Sequence, residues 1–467
     1  MTDTTTPSAA ITDFGIDTTA QSTGEAIRDY FARLRGGELG SLPALLGLAA
    51  LLIYFTVRSD SFLTLDNTAN LFAQSAGRMI IAMGLVFVLL LGEIDLSAGT
   101  ASGVCAAVMA LHYVEAGNLL GGMHSTVFYV FVGGLAIAGG LALIMRIWVG
   151  AVLCVIAVII AMSGIGRNPW LEMLLAICVG TAIGCITGFL VSKIGMPSFV
   201  VTLALFIAWQ GVILQFIGPR GTLSLGTGVL FDVANGNLSV LGSWILCVVA
   251  AGGYAAVVLG EHSFRLRKGL VTQPTPVVLF KVGVIAIIAV LATLALTVNR
   301  SPNDNIVIEG VPFVVPIVLV LLVAGTYTLN RTRYGRHIYA VGGNAEAARR
   351  AGIPLARIRT IAFMLVSLTA GIAGVAYASR QRSISTAFDG GTLVLYAVAA
   401  AVIGGTSLFG GRGKALSGVL GGVVIAAIYN GMGLVGFDAS TQFMVTALVL
   451  LGAVTIDALS RRNRPTR

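Results

Sequence analysis

Apolar runs of bilayer-crossing length recur from residue 42 to residue 459, and they limit what this chain can become. A bilayer core about 30 Å thick needs ~20 apolar residues in helical form. Every backbone amide inside it must be satisfied internally, so only helices and closed barrels can span. Barrel strands are alternating segments of roughly ten residues. The runs here are longer and continuous. Candidate spans lie near 42–58, 71–91, 97–113, 127–145, 147–166, 171–192, 198–217, 241–260, 277–298, 313–329, 358–378, 392–409, 415–434 and 440–459. Several are short or broken by glycine. The expectation is therefore an all-α polytopic membrane protein, a multi-span bundle of about 10–14 transmembrane helices.

Composition agrees. The chain is 57% hydrophobic and 10% charged, where soluble domains carry about a quarter charged residues. Its 59 glycines are spread through the apolar runs, where small residues let helices approach closely. The five cysteines, Cys105, Cys154, Cys178, Cys185 and Cys247, all lie in apolar runs without metal-ligand spacing and read as small buried hydrophobes. His112, His124, His262 and His337 are far apart and read as solvated loop residues.

The net charge of +9 bears on topology. With the N-terminus inside and the spans alternating, 22 of the 29 Lys and Arg residues fall on the inner side. The positive-inside rule then sets both termini in the cytosol. A nucleic-acid partner is not expected, because no basic face accompanies a recognition fold. Three parts follow: a cytosolic tail over 1–40, a membrane domain over 41–460 with a cytosolic loop at 330–358, and a basic tail over 461–467. The first tail lacks the apolar core of a cleavable signal peptide and ends in a short amphipathic helix around Ala26 to Leu34. Outer loops near 114–126, 218–240, 299–312 and 379–391 are too short to fold as catalytic domains.

Two spans break at matching places. GEIDLSAG (92–99) and GGTSLFGG (404–411) share G-x-x-x-L-x-x-G at inner ends of apolar runs, the form of an internal repeat. In the first block, Glu93 and Asp95 have two readings: a structural or N-cap role, or a proton or sodium relay. Arg78 reads as snorkelling to an interface, with a buried pairing as the alternative. The polar set Asn67, Asn70, Gln74, Gln210, Gln215 and Asn430 has two readings: a solute pathway, or hydrogen bonds between helices.

The stretch VGGNAEAARRAGIP (341–354) is polar and helix-prone between apolar runs. Asn344 is an N-cap, Glu346 suits the first turn, Arg349 and Arg350 suit the last, and Gly352 and Pro354 stop the helix. The result is a helix of about two turns, roughly 10 Å long. It is too short to stand alone and needs a surface to pack against. Ala345, Ala348 and Ala351 place small residues along one side, suited to a groove on a partner. Arginines on both flanks equally fit a loop that only sets topology.

The run RTRYGRHIYAVGGNAEAARRAGIP resembles the cytosolic coupling loop of bacterial ABC importer permeases of the ribose and xylose branch. Thr332, Gly335, Arg336, Ala340, Gly342, Gly343, Asn344, Ala347, Ala348, Arg349, Gly352 and Ile353 stand where that family has its motif. GEIDLSAG resembles the family's GGIDLSVG block, departing at Glu93 and Ala98. MPSFVVTLALFIAWQG (196–211) and AAAVIGGTSLFGGRG (399–413) resemble two further blocks. The apolar runs around 127–166 and the insert HSFRLRKGLVTQPTP (262–276) are most like the xylose-type branch. The resemblance implies a channel subunit in the bacterial inner membrane that works as a pair of copies. It implies cytosolic ATPase subunits that dock on Gly342, Gly343, Asn344, Ala345, Glu346, Ala347, Ala348, Arg349 and Gly352. An extracytoplasmic sugar-binding protein would dock outside. The chain carries no G-x-x-x-x-G-K-[ST] loop; GGRGKALSG (410–418) has Ala415 where a Walker loop needs Ser or Thr. No cofactor is expected, and ATP hydrolysis would lie in another chain. The rivals are an ion-coupled secondary transporter using Glu93 and Asp95, and a membrane scaffold that moves no solute.

Overall fold

The computed structural model describes residues 42–462 except Val271, Pro302 and Asp304, together with Gly24 and Arg28. The expected tails over 1–40 and 461–467 therefore lie outside the described residues, apart from those two positions and the last turn of the final helix.

Each expected span is a helix. In chain order they are α1 (Leu42–Arg58), α2 (Leu65–Leu90), α3 (Ala98–Val114), α4 (Ser125–Ile144), α5 (Trp148–Ser163), α6 (Pro169–Phe189) and α7 (Ser198–Ile217). There follow α8 (Val240–Arg267), α9 (Thr275–Thr297), α10 (Val314–Arg331), α11 (Leu355–Gln381), α12 (Gly390–Ile403), α13 (Ala415–Val435) and α14 (Ala439–Arg462). Among the described residues nine helices are long and apolar enough to cross a membrane; α1, α3, α5, α12 and the Ala439–Thr455 part of α14 are shorter apolar stretches. Helix α12 ends at Ile403, so the GGTSLFGG block expected within its span is non-helical.

The helices sort into a centre and a rim. The apolar windows of α2, α6 and α11 are 72–83% buried, against 11% for α8 and α9. Glycine spacing explains the tightest contact. Gly180, Gly184 and Gly188 form one stripe of α6 against α11; a Cβ at Gly184 would stand 2.5 Å from Met364 Cα, and one at Gly188 2.7 Å from Thr360 Cα. Lipid tails give no hydrophobic drive between helices, so this backbone-close packing supplies the attraction. The rim helices carry large apolar side chains outward, as a lipid solvent requires: Ile287 and Ile288 of α9 are each 60% exposed.

Loop contacts divide the connections into two ends. At one end, the last residue of α2 meets the 404–414 loop through Gly411 N–H to Leu90 O at 2.8 Å. At that end Ile94 N–H also reaches Ser198 Oγ at 3.4 Å. The same end holds residues 332–354. At the other end β1 (Thr222–Ser224) pairs antiparallel with β2 (Ser383–Ser385), Thr222 facing Ser385. There Ala234 N–H also binds Ser379 Oγ at 2.9 Å. At the first end Asp95, Ser97, Thr406 and Ser407 are buried, and non-helical backbone at membrane depth is tolerated where protein covers it or where it lines a water-filled cavity.

Two polar readings are corrected. His112 is fully buried, its Nδ1 2.7 Å from Glu172 Oε2 across α3 and α6. His262 is also buried, between Thr272 at 2.9 Å and Thr275 at 3.0 Å. Neither is a solvated loop residue. Both lie within helical ladders whose neighbours enclose them.

Candidate functional site

The segment expected to couple forms two short helices that meet at Asn344. The first, Arg333–Gly343, is capped by Thr332, whose Oγ1 accepts from Gly335 N–H at 3.1 Å. The second, Ala345–Arg350, is capped by Asn344, whose Oδ1 accepts from Ala347 N–H at 2.9 Å. Gly352 follows in the left-handed conformation, φ +79°. The N-cap, the stop and the charge order expected from sequence all appear, over six helical residues. The preceding helix was not legible as one; it opens with RTRYGRH, whose arginines read as a flank.

The segment's two faces differ. Ala348 is buried and Ala345 is partly buried against the chain's own core, while Ala351 is exposed. Two residues of the small-residue stripe thus pack on this chain, and the outward face is Glu346, Ala347, Arg349 and Arg350. Glu346 binds Arg349 through two contacts of 2.9 Å and Arg350 through one of 3.0 Å. The Arg349 hydrogen bonds, then that of Arg350, hold the Glu346 carboxyl below the usual carboxylate range; Glu346 in turn raises Arg349. The charges remain in water, where such pairs contribute little stability. Their value is a fixed, patterned surface.

This surface is rigidly joined to the membrane core. A Cβ at Gly342 would fall on the Leu90 carbonyl at the end of α2. Tyr339 OH donates to Gly413 O at 2.7 Å, and Tyr334 OH to Ile358 O at 3.3 Å. Glu93 pairs with Arg359 at the start of α11, Oε1 to Nε 3.3 Å. The segment thus touches both α2, at Leu90, and α11, at Ile358. Gly343 makes no such contact and is exposed.

Asp95 is fully buried, and its Oδ1 accepts from Ser97 N–H at 2.9 Å and Ser97 Oγ at 2.7 Å. That geometry closes a turn ahead of α3. Asp95 Oδ2 is buried without a hydrogen-bond partner among the described residues, while Glu93 is held by Arg359.

The polar set separates. Asn67 and Asn430 exchange two hydrogen bonds of 2.8 Å, joining α2 to α13, and Asn67 also donates to Phe62 O at 2.8 Å. Asn70 accepts from Arg380 of α11. Gln74 is partly exposed one turn further along α2. Gln210 and Gln215 lie on α7, which packs on α3, and are not brought to this face.

Arg78 takes the second of its two readings, a pairing inside the bundle. It stands near the middle of α2, 13 residues from Leu65 and 12 from Leu90, about 18–20 Å from either end and beyond reach of an interface. Its guanidinium carbon lies 4.7 Å from the Tyr429 ring centroid and 5.2 Å from that of Tyr396. Among the described residues its Nη1 is buried without a hydrogen-bond partner. The tyrosines are over 300 positions away in sequence, so no local pattern announced the pairing.

Long apolar helices around a close-packed centre, with a capped surface helix tied to the core, define a multi-pass membrane protein. The chain belongs to the family described as branched-chain amino acid transport system / permease component, which matches residues 67–455. It is similar to the xylose transport system permease protein XylH of Escherichia coli (strain K12), 29% identical over 93% of this chain and 95% of that protein. Its similarity to XylH of Haemophilus influenzae is 30% over 92% of this chain and 99% of that protein. The ribose import permease protein RbsC of Escherichia coli (strain K12) is 26% identical over 92% and 96%. No solved structure matches significantly. The ribose and xylose resemblance expected from the motifs is borne out. The chain is a multi-pass protein of the bacterial inner membrane, in a family of ABC transporter permeases that act with ATPase and substrate-binding partners.

Proposed function

We propose that this chain is the channel-forming subunit of an ATP-driven sugar importer. It moves a monosaccharide, xylose or a related pentose, by alternating access, and performs no catalysis itself. Two copies form the channel. Cytosolic ATPase subunits dock on the outward face of Ala345–Arg350, and an extracytoplasmic sugar-binding protein delivers its ligand at the β1–β2 end. The capped helix carries this reading, since its polar face is free while Gly342 rests on the end of α2. Closure of the ATPase pair pushes that helix, and α2 and α11 move with it. The sugar assignment rests on the similarity to xylose and ribose permeases across nine-tenths of the chain.

The test is purification of the chain from its native cell, with and without Glu346→Arg. Recovery of an ATPase subunit by the unaltered chain and its loss in the variant support the docking face. Uptake that persists without any ATPase and collapses with a protonophore replaces this reading with ion coupling.

A further inference from the structure

The face of α2 that carries Asn70, Gln74 and Arg78 is partly exposed, and this exposure ends at Arg78. Every residue from Met79 to Leu91 is buried. The three polar side chains stand at i, i+4 and i+8, one above another on a helix. Arg78 is thus the last accessible residue on a polar stripe that starts near the β1–β2 end, where Asn70 meets Arg380. Below it α2 is sealed.

An ionisable side chain halfway through a membrane helix costs several kcal/mol unless it is matched, and it marks function by default. The match here is incomplete in an informative way. The faces of Tyr396 and Tyr429 offset the positive charge by cation–π attraction. They do nothing for the hydrogen-bond donors at the guanidinium edge. Nη1 is left without an acceptor among the described residues. A buried donor without an acceptor is costly, and a ligand that supplies one recovers that cost.

We infer that Arg78, Tyr396, Tyr429 and Gln74 form a transit site for a neutral polyhydroxylated ligand, a monosaccharide, at the closed floor of the α2 stripe. The inference rests on the sugar-importer reading above and adds the site to it. The chemistry selects the ligand class. Hydroxyl oxygens accept from the Arg78 edge without bringing a charge that the two tyrosines have already offset. Tyr429, 41% exposed, presents an aromatic face to the C–H side of a sugar ring. Gln74 offers both a donor and acceptor to a second hydroxyl. A carboxylate would bind this guanidinium as a charge-assisted pair, too strongly for rapid release. Arg78 and the Leu90 carbonyl against which Gly342 packs lie on the same helix, so this site and the Arg333–Gly343 helix share α2.

The test uses the whole importer in its native cell, with labelled D-xylose and D-ribose as probes and D-xylonate as the anionic counterpart. Arg78→Gln and Tyr429→Leu are expected to lower the uptake efficiency at least tenfold, with membrane level and ATPase recovery unchanged. Arg78→Lys, which keeps charge but not the planar edge, recovers less than a third. Unaltered uptake in inserted variants overturns the site while leaving the importer reading intact. Failure of the unaltered chain to import either pentose overturns both. A second measurement covers variants that do not insert. The five native cysteines are buried, so Gly77→Cys, next to Arg78 and outside the four site residues, is the intended target of a membrane-impermeant thiol reagent. Saturating xylose should slow its labelling at least fivefold. No protection, or protection by xylonate in place of the sugar, overturns the inference.

Discussion

Single residues hold the two ends of this bundle to its centre. His112 and Glu172 form a fully buried pair, and among the described residues His112 Nε2 and Glu172 Oε1 have no further partner. Removing one member strands the other in a low-dielectric interior, which typically costs about 3–5 kcal/mol. Glu172→Ala should therefore lower the melting temperature in detergent sharply. The double variant His112→Leu with Glu172→Leu should recover most of that loss, because a packed apolar pair removes the desolvation penalty. Gly342 is as restrictive for steric reasons. Gly342→Val puts a side chain into the Leu90 carbonyl and must displace the Arg333–Gly343 helix. The expected outcome is membrane insertion with uptake lost, read by transport assay beside a surface-expression blot.

At the scale of elements, α6 against α11 is the contact on which the central packing depends. Its stripe of Gly180, Gly184 and Gly188 leaves no room for a larger residue. Gly184→Leu should push the helices apart, and size-exclusion chromatography should read this as loss of the monodisperse peak. The Ala345–Arg350 helix behaves in the opposite way. Its outer side chains are exposed and its charged pairs are solvated, so Glu346→Arg should leave the melting temperature unchanged. ATPase recovery should fall in the same sample. A parallel drop in both readouts would make Glu346 a folding residue and remove it from the docking face.

For the whole molecule, the sorting of loops into two ends makes a topological prediction. The end with 332–354 and 404–414 carries most of the basic residues, and β1 and β2 mark the opposite end. Ala347→Cys should react with an impermeant thiol reagent only in inverted vesicles, and Ser224→Cys only in intact spheroplasts. The reverse pattern would invert the assignment of the cytosolic face.

The helices and the capped segment were legible in the sequence, because hydropathy, glycine stops and side-chain caps act between near neighbours. Asn344 to Ala347 and Asp95 to Ser97 are bonds across two or three residues. The turn that each closes follows from residue type alone. What the sequence could not specify was which face of each helix points where. A run that is apolar on every side carries no amphipathic stripe to fix its rotation. Arg78 therefore read as a lone charge seeking water, and His112 as a loop residue. Their places follow from contacts 318 and 351 residues apart to Tyr396 and Tyr429, and 60 residues apart to Glu172. The sequence alone determined which runs become long apolar helices and where Asn344 starts the short capped one. Tertiary packing decided which polar groups meet, because in a lipid solvent close contact between small residues sets the rotation of each helix.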